Sequence, residues 1–221
     1  MATLTPPRYC CADGYVATVS AVEAQAHSIE GIWLFSPVLR PDDRGVFLES
    51  FKDSVLTEAV GHRFDLKQMN ISVSKQGTVR GIHFADVPPG QAKYVQCFAG
   101  RILDIVVDIR VGSPTFGQWE AVELDSETRQ GLYIAEGLGH AFCALSETVT
   151  VGYLCSEPYA PTREHGIHPL DADLALPWPD GSDSVISPKD AAAPTLTEAV
   201  ETGLLPDWQM CQEFYAKLDA P

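Results

Sequence analysis

The sequence lacks any long hydrophobic run, since no apolar stretch reaches the roughly 18 residues of a membrane-spanning helix. It also lacks a basic excess, because 15 lysine and arginine residues stand against 30 aspartate and glutamate residues. The resulting net charge of -15 repels nucleic-acid phosphates and anionic membrane surfaces. We therefore expect neither as a partner. The N-terminal segment has no basic start followed by an apolar core, which predicts a cytoplasmic protein.

The six cysteines include no C-x-x-C pair and no spacing typical of a disulfide framework or zinc site. We expect reduced, structural thiols. The adjacent Cys10 and Cys11 allow redox chemistry, although a flexible N-terminal tail is the preferred interpretation. The six histidines contain no H-x-H arrangement of the kind that metal-binding β-barrels use, and His165 and His168 are expected on the surface. The sequence therefore predicts no metal site.

The length of 221 residues, with 45% apolar and 20% charged residues, indicates one globular domain. We divide it into a poorly specified lead-in (1–28), a main body (29–192) and a C-terminal helical extension of the same domain (193–221). Helix patterns cover 53–61, 195–203 and 208–218. From 70 to 178, short strand patterns alternate with glycine- and proline-containing turns, which predicts an all-β sandwich or barrel.

The segment 101–111 alternates apolar and polar residues with a period of two, as a strand with one buried face does. Asp104, Asp108 and Arg110 fall on the polar face. For Asp108 and Arg110 the sequence leaves two possibilities open, a solvated face and a face that lines a functional site. Asp104 is expected to face a cavity.

One group of residues is suited to acid–base chemistry without a metal ion. Such chemistry needs a base that titrates near neutral pH, a carboxylate that orients it and a donor to the oxygen that becomes negative. His83 is a candidate base and Lys93 a candidate donor. A phenol such as Tyr153 is able to return a proton from the opposite side of the substrate.

Several separate motifs resemble the dTDP-4-dehydrorhamnose 3,5-epimerase family. They are GTVRGIHF at 77–84, QAK at 91–93, DIVVDIRxGSPTFGQW at 104–119 and GHAFxALSE at 139–147. The resemblance runs from about residue 32 to 190, and its spread over several blocks makes it far more specific than R-G-x-H alone.

The resemblance implies an all-β fold, a cupin-like jelly-roll β-barrel with short helices at its periphery and C terminus, assembled as a homodimer. It implies a dTDP-4-keto-6-deoxy sugar nucleotide as substrate and no cofactor. By motif, His83 resembles the general base, Asp190 its paired aspartate, Lys93 the lysine near the keto oxygen and Tyr153 the acid. Further residues resemble nucleotide, diphosphate or pocket contacts, namely Arg44, Phe47, Glu49, Gln68, Asn70, Arg80, His140 and Tyr159.

Each assignment has a structural rival. Asp190 is also suited to cap a helix that begins at Ala191. Tyr153 is also suited to be a core aromatic, Lys93 to form a surface ion pair and Arg44 to make a turn contact.

The sequence departs from the common family pattern at two places. It has Ile71 within Asn70–Ser74 where many members have histidine, and Ala85 and Asp86 where they have a glutamine soon after the catalytic histidine. These changes resemble epimerases of antibiotic deoxysugar pathways, several of which invert one carbon. We therefore predict an isomerase that inverts C3, or C3 and C5 as in the dTDP-rhamnose pathway. A ketoisomerase or dehydratase on a similar nucleotide sugar and a non-catalytic sugar-binding cupin are the alternatives, and the last would be favoured if His83 and Asp190 lay far apart.

Overall fold

A computed structural model describes residues 22–179 and 184–218. Its strands are β1 (Glu23–Ala26), β2 (Ile32–Ser36), β3 (Arg40–Asp42), β4 (Gly45–Phe47), β5 (Gln68–Lys75), β6 (Val79–Ala85), β7 (Lys93–Ala99), β8 (Arg101–Val107), β9 (Trp119–Asp125), β10 (Gly131–Ile134), β11 (Gly139–Ala144), β12 (Thr148–Cys155) and β13 (Glu164–Gly166). Its helices are α1 (Asp53–Val60), α2 (Pro188–Ala191), α3 (Leu196–Glu201) and α4 (Trp208–Leu218).

The strands form two large antiparallel sheets and one hairpin. One sheet has the order β1-β2-β10-β7-β12-β5, and the other has the order β13-β6-β11-β8-β9. β3 and β4 pair only with each other among the described strands. Consecutive strands along the chain often lie in different sheets, as in a jelly roll. The predicted all-β class is confirmed, with the sheets arranged as a sandwich.

Apolar residues from both sheets pack between them. The larger buried cluster includes Phe35 and Leu132 of the six-stranded sheet and Ile102 and Phe142 of the other. β8 is buried on both faces, since Ile102 and Val106 belong to this cluster and Ile105 and Val107 to a smaller one, so the single buried face expected for 101–111 was wrong. This packing fixes the relative position of the sheets, and therefore of any side chains that they carry towards each other.

Three of the four helices in the described ranges, α1, α3 and α4, lie where local sequence signals predict them, and α2 was not predicted. α1 ends before Gly61, whose φ of +93° is the left-handed conformation that glycine adopts without strain. α3 begins with a capping box between Thr195 and Glu198. None of the helices in the described ranges is long and apolar enough to cross a membrane.

The structure differs from the sequence interpretation in two segments. Part of the predicted lead-in is ordered, since β1 pairs with β2; residues 1–21, with Cys10 and Cys11, lie outside the described part. β8 ends at Val107, and neither possibility left open for Asp108 and Arg110 holds. Both side chains are fully buried and form an ion pair, with 2.9 Å between Arg110 Nε and Asp108 Oδ1. Ser113 and Thr115 donate further hydrogen bonds to this carboxylate, each at 2.6 Å.

Candidate active site

A cavity of about 1160 Å³ opens between the two sheets. Its volume is of the order expected for a site that takes a large organic ligand. Eight of the predicted site residues line it together: Gln68, Asn70, Arg80, His83, Lys93, Tyr153, Tyr159 and Asp190. The structure thus brings together residues that are up to 122 positions apart in the chain, from Gln68 to Asp190.

An irregularity in β6 lets two residues that are three positions apart share one pocket. Between β11 and β6, His140 is opposite His83 and Phe142 is opposite Arg80, so a step of two residues on β11 matches a step of three on β6. In a regular strand, residues three apart point to opposite faces. The bulge allows both Arg80 and His83 to line the cavity.

Gly81 is required within this bulge. Its φ is +120°, and a Cβ added to it would lie 2.5 Å from the carbonyl oxygen of His140 and 2.6 Å from Cα of Ala141. Any side chain here would push β6 away from β11. The glycine in the R-G-x-H motif therefore permits the close strand approach that sets the direction of His83.

Asp190 reaches His83 because the segment before α2 is attached to the start of β6. The backbone N–H of Val79 donates to the carbonyl oxygen of Val185 at 3.0 Å. Ser187 then caps α2 by accepting from the N–H of Asp190 at 3.1 Å. The capping role considered for Asp190 thus belongs to Ser187, and the Asp190 carboxylate is free to contact His83.

His83 and Asp190 form a close pair, with 2.7 Å between Nε2 and Oδ1. Asp190 is only 6% exposed. Burial by itself raises the pKa of Asp190, but the hydrogen bond and charge of His83, with smaller contributions from Ser187 and Gly81, bring that pKa below its usual range. The carboxylate is therefore ionised at neutral pH and accepts the Nε2 proton.

This hydrogen bond assigns the two ring nitrogens of His83. Because Nε2 faces the Asp190 carboxylate, the neutral imidazole carries its proton on Nε2 and its lone pair on Nδ1. None of the described residues bonds to Nδ1. The non-catalytic sugar-binding cupin would be favoured by a large distance between His83 and Asp190, and the 2.7 Å contact does not favour it.

Lys93 and Tyr153 come from the opposite sheet. Lys93 begins β7, Tyr153 lies in β12, and His83 belongs to β6 of the five-stranded sheet. Burial lowers the pKa of Lys93, while the nearby Cys155, Glu164 and Asp104 oppose that shift. Burial raises the pKa of Tyr153, which keeps its phenol protonated. The cavity thus has the His83 imidazole on one wall and the Lys93 amine and the Tyr153 phenol on the other.

The remaining lining residues form a polar rim. Gln68 donates from Nε2 to Oδ1 of Asn70 at 2.8 Å, and its own Oε1 accepts from the backbone N–H of Tyr159 at 3.0 Å. Arg80 donates from Nε to the hydroxyl of Ser74 at 3.0 Å, and its guanidinium is exposed. Lys75 and Lys189, which we did not predict, add positive charge to this rim.

Four predicted residues lie elsewhere. His140 is buried behind the cavity, where its Nε2 is 2.9 Å from Oδ2 of Asp104, because a buried imidazole and carboxylate satisfy each other. Asp104, which we expected to face a cavity, is instead fully buried against His140 and does not line this cavity. Arg44, Phe47 and Glu49 lie on or beside the exposed β3–β4 hairpin, away from this chain's cavity. Arg44 bonds to Asp42 in its own hairpin, 3.1 Å from Nε to Oδ2, which is the turn contact considered as its rival role.

Sequence reasoning missed two residues on β13. Glu164 lines the cavity and is one of the charges near Lys93 and Tyr153. His165, expected on the surface, also lines the cavity, and its Nε2 is 2.8 Å from Oδ1 of Asp86. The three-residue strand is too short for a periodic signal, so only its pairing with β6 identifies these residues.

Across the described ranges, no group of three or more histidine, cysteine, aspartate or glutamate residues is arranged to hold a metal ion.

Comparison with known proteins identifies the family of the chain. The family model described as dTDP-4-dehydrorhamnose 3,5-epimerase matches residues 26–198. The chain belongs to this family. The predicted resemblance is thereby confirmed, and so is the predicted enzyme class, a sugar-nucleotide epimerase among the isomerases.

Family members of known identity are similar over most of the chain. A dTDP-4-dehydrorhamnose 3,5-epimerase of Mycolicibacterium smegmatis is 55% identical over 195 residues, which are 88% of this chain and 96% of that protein. The structure of NovW, a 4-keto-6-deoxy sugar epimerase from the novobiocin cluster of Streptomyces spheroides, is 50% identical with a TM-score of 0.85, covering 90% of this chain and all of that one. The structure of ChmJ, a 3'-monoepimerase of Streptomyces bikiniensis in complex with dTDP-quinovose, is 47% identical with a TM-score of 0.86, covering 87% and 98%.

Proposed function

We propose that this epimerase inverts C3 of a dTDP-4-keto-6-deoxyhexose. The observation that carries the proposal is the 2.7 Å His83–Asp190 pair facing Lys93 and Tyr153 across one cavity. A ketone at C4 acidifies the neighbouring C–H bonds, so a positioned base is able to form the enolate. The proposal uses side chains alone and requires no cofactor.

The first step removes the proton at C3. Nδ1 of His83 accepts it, and the Asp190 carboxylate stabilises the resulting imidazolium through Nε2. The electron pair of the broken C–H bond moves to the C4 oxygen. Lys93 donates to this enolate oxygen, and a preorganised donor of this kind typically contributes about 3–4 kcal/mol in the transition state.

The second step returns a proton from the other side. Tyr153 belongs to the sheet that faces His83, so its phenol approaches the opposite face of the sugar ring. The raised pKa of Tyr153 supports this role, because the phenol remains an acid at neutral pH. Protonation at C3 from that face inverts the carbon and leaves a phenolate on Tyr153, which takes a proton from solvent, while the imidazolium of His83 releases its proton to solvent.

The rim residues support binding of the nucleotide. Arg80, Lys75 and Lys189 concentrate positive charge at the cavity of a protein whose net charge is -15. A diphosphate needs such local cations to overcome the overall repulsion. We assign Arg80 to the diphosphate and Gln68, Asn70 and Tyr159 to the nucleotide side of the cavity.

Incubation with dTDP-4-keto-6-deoxyglucose in D2O, followed by 1H NMR, tests the function. Loss of the H3 signal with inversion at C3 is the expected result. Loss of both H3 and H5 would replace the proposal by 3,5-epimerisation, and retention of both would refute it. His83→Ala should abolish exchange at C3, and its binding of dTDP should persist because the rim is intact.

We also propose that the protein is a homodimer in which the β3–β4 hairpin serves the neighbouring subunit. Phe47 on this hairpin is 67% exposed. β5 is an edge strand whose Ile71 and Val73 are exposed and line the cavity. An exposed apolar edge of this kind is a natural site for another copy of the chain. Arg44, Phe47 and Glu49 would then complete the partner's pocket.

Subunit mixing tests this arrangement. His83→Ala and Arg44→Ala chains are each expected to have little activity, and a mixed dimer would regain one complete pocket if the hairpin crosses to the partner. Random exchange in a two-fold dimer should restore about a quarter of the activity. Absence of recovery in mixtures that form mixed dimers would place the hairpin on its own subunit's pocket.

A further inference from the structure

A buried glutamate lies outside the cavity, next to the strand end that carries Lys93. Glu136 follows β10 by two residues and is 3% exposed. Its Oε1 accepts a hydrogen bond from the hydroxyl of Ser156 at 3.3 Å. Its Oε2 has no partner among the described residues. Burying a carboxyl group is costly, so this residue calls for an explanation that general packing does not provide.

Ser156 connects Glu136 to the residue before Lys93. Its hydroxyl accepts from the backbone N–H of Ala92 at 2.8 Å, and its own backbone N–H donates to the carbonyl oxygen of Ala92 at 3.0 Å. In the sheet, Lys93 is opposite Ile134 of β10 and opposite Cys155 of β12. Glu136 therefore lies just beyond the end of β10 and Ser156 just beyond the end of β12, the two strands that flank Lys93. Their side chains are hydrogen-bonded to each other there.

Glu136 is itself held from two sides. Gly90, with φ of +71°, packs so closely that an added Cβ would lie 2.5 Å from Cβ of Glu136. From the other side, the hydroxyl of Tyr215 in α4 donates to the carbonyl oxygen of Glu136. The turn at Glu136 thus links the C-terminal helix to the loop that leads into β7.

We infer that Glu136 is a positioning residue for Lys93, acting through the Ser156 hydroxyl and the backbone of Ala92. The inference rests on the proposed role of Lys93 at the enolate oxygen. A donor improves the transition state only if it is held in place before the reaction. The network fixes the backbone one residue before Lys93 without placing any further group in the cavity.

Burial raises the pKa of Glu136. A neutral carboxyl group retains the acceptor oxygen that Ser156 needs and avoids an unpaired buried charge. Glu136→Gln therefore preserves the network, whereas Glu136→Ala removes it.

Ser156→Ala tests the connection with a small change. Ser50→Ala is the matched control, since Ser50 donates to Gln96 on the same strand at 2.6 Å, on the opposite face from Lys93. Competitive acylation of lysines, read by mass spectrometry, compares Lys93 with the exposed Lys52. The Lys93/Lys52 ratio should rise about fivefold in Ser156→Ala, the equivalent of one ordinary hydrogen bond, and stay constant in Ser50→Ala. Equal ratios in both variants would refute the inference.

Kinetics supply the second measurement. Ser156→Ala and Glu136→Ala should lower kcat about tenfold with little change in KM, because the enolate forms only along the reaction path. Glu136→Gln should retain most of the rate, and a loss equal to that of Glu136→Ala would overturn the hydrogen-bond route. If the unmodified enzyme shows no exchange at C3, the proposed function fails, while the labelling ratio still decides whether the network positions Lys93.

Discussion

Asp190→Asn is the most direct perturbation of the proposed mechanism. The substitution keeps the size of the side chain and the cap of α2, in which the backbone N–H of residue 190 donates to the Ser187 hydroxyl. It removes the negative charge that lies 2.7 Å from Nε2 of His83. The fold of the site should therefore persist, while the base loses the group that orients it.

The expected loss of rate is estimated from the hydrogen bond between His83 and Asp190. A hydrogen bond to a charged group contributes about 1.5–3 kcal/mol, which corresponds to about 10- to 150-fold in rate. The side chain of His83 is 38% exposed, so solvent screening reduces the charge contribution. The asparagine amide of the variant is also able to donate to Nε2, which favours the tautomer with its proton on Nδ1 and removes the base. Together these effects predict a loss of about 100-fold in kcat.

The assay is the rate of H3 exchange in D2O, with dTDP binding measured by calorimetry. Asp171→Asn is a matched control, because Asp171 is equally buried at 6% and accepts a 2.6 Å bond from the N–H of Leu196, outside the cavity. We expect the control to lose stability and keep its exchange rate. A folded Asp190→Asn enzyme that exchanges H3 within about twofold of the unmodified rate would refute the assigned role of the pair.

Three further predictions concern other parts of the molecule. Tyr153→Phe should slow inversion more than H3 exchange, since His83 still forms the enolate; equal slowing in NMR time courses would place the acid elsewhere. Lys93→Met should lower kcat about 100-fold or more at an unchanged dTDP affinity, and a loss of affinity alone would assign Lys93 to binding. Burial raises the pKa of Asp108, but the bonds from Arg110, Ser113 and Thr115 outweigh it and hold that pKa below its usual range. The ion pair therefore stabilises the fold fully above about pH 3.9, the unfolded pKa of aspartate, and this stabilisation is lost as the pH falls through the lower pKa of Asp108 in the folded state. Asp108→Asn should lower the free energy of unfolding in urea by about 3–5 kcal/mol at pH 7 and by less at pH 3. An equal loss at both pH values would contradict this.

Local signals in the sequence predicted the elements that depend on neighbouring residues. The acidic start and terminal Gly61 gave the correct limits of α1, and the period of two identified β8. The same period failed beyond Val107. There the Asp108 carboxylate bonds to the turn that follows it, and Arg110 stacks on Trp208 of α4 with 4.6 Å from Cζ to the ring centroid. Trp208, which buries Arg110, is nearly a hundred positions away in the chain, so the local pattern of apolar and polar residues does not predict this burial.

The candidate site was likewise predicted only in part from the sequence. Motif resemblance identified eight residues that meet in the cavity, six of them on β5, β6, β7 and β12. It also carried over Arg44, Phe47 and Glu49, which lie away from the cavity of a single chain. In the proposed dimer these three residues would serve the partner's pocket, and a motif does not indicate which subunit supplies a residue. Glu136 carries no motif at all, since its significance lies in the contacts of its neighbours.

The two-sheet architecture itself favours inversion over simple exchange. His83 is anchored to the five-stranded sheet by the bulge at Gly81 and by Asp190, and Tyr153 is anchored to the opposing sheet between β5 and β7. Neither group is able to reach the other wall without breaking strand pairing. In the proposed mechanism, a keto sugar held between them loses its C3 proton to one wall, and the planar enolate that results receives a proton from the other. The stereochemical outcome follows from which sheet carries each group, and a single sugar pose is sufficient to obtain it.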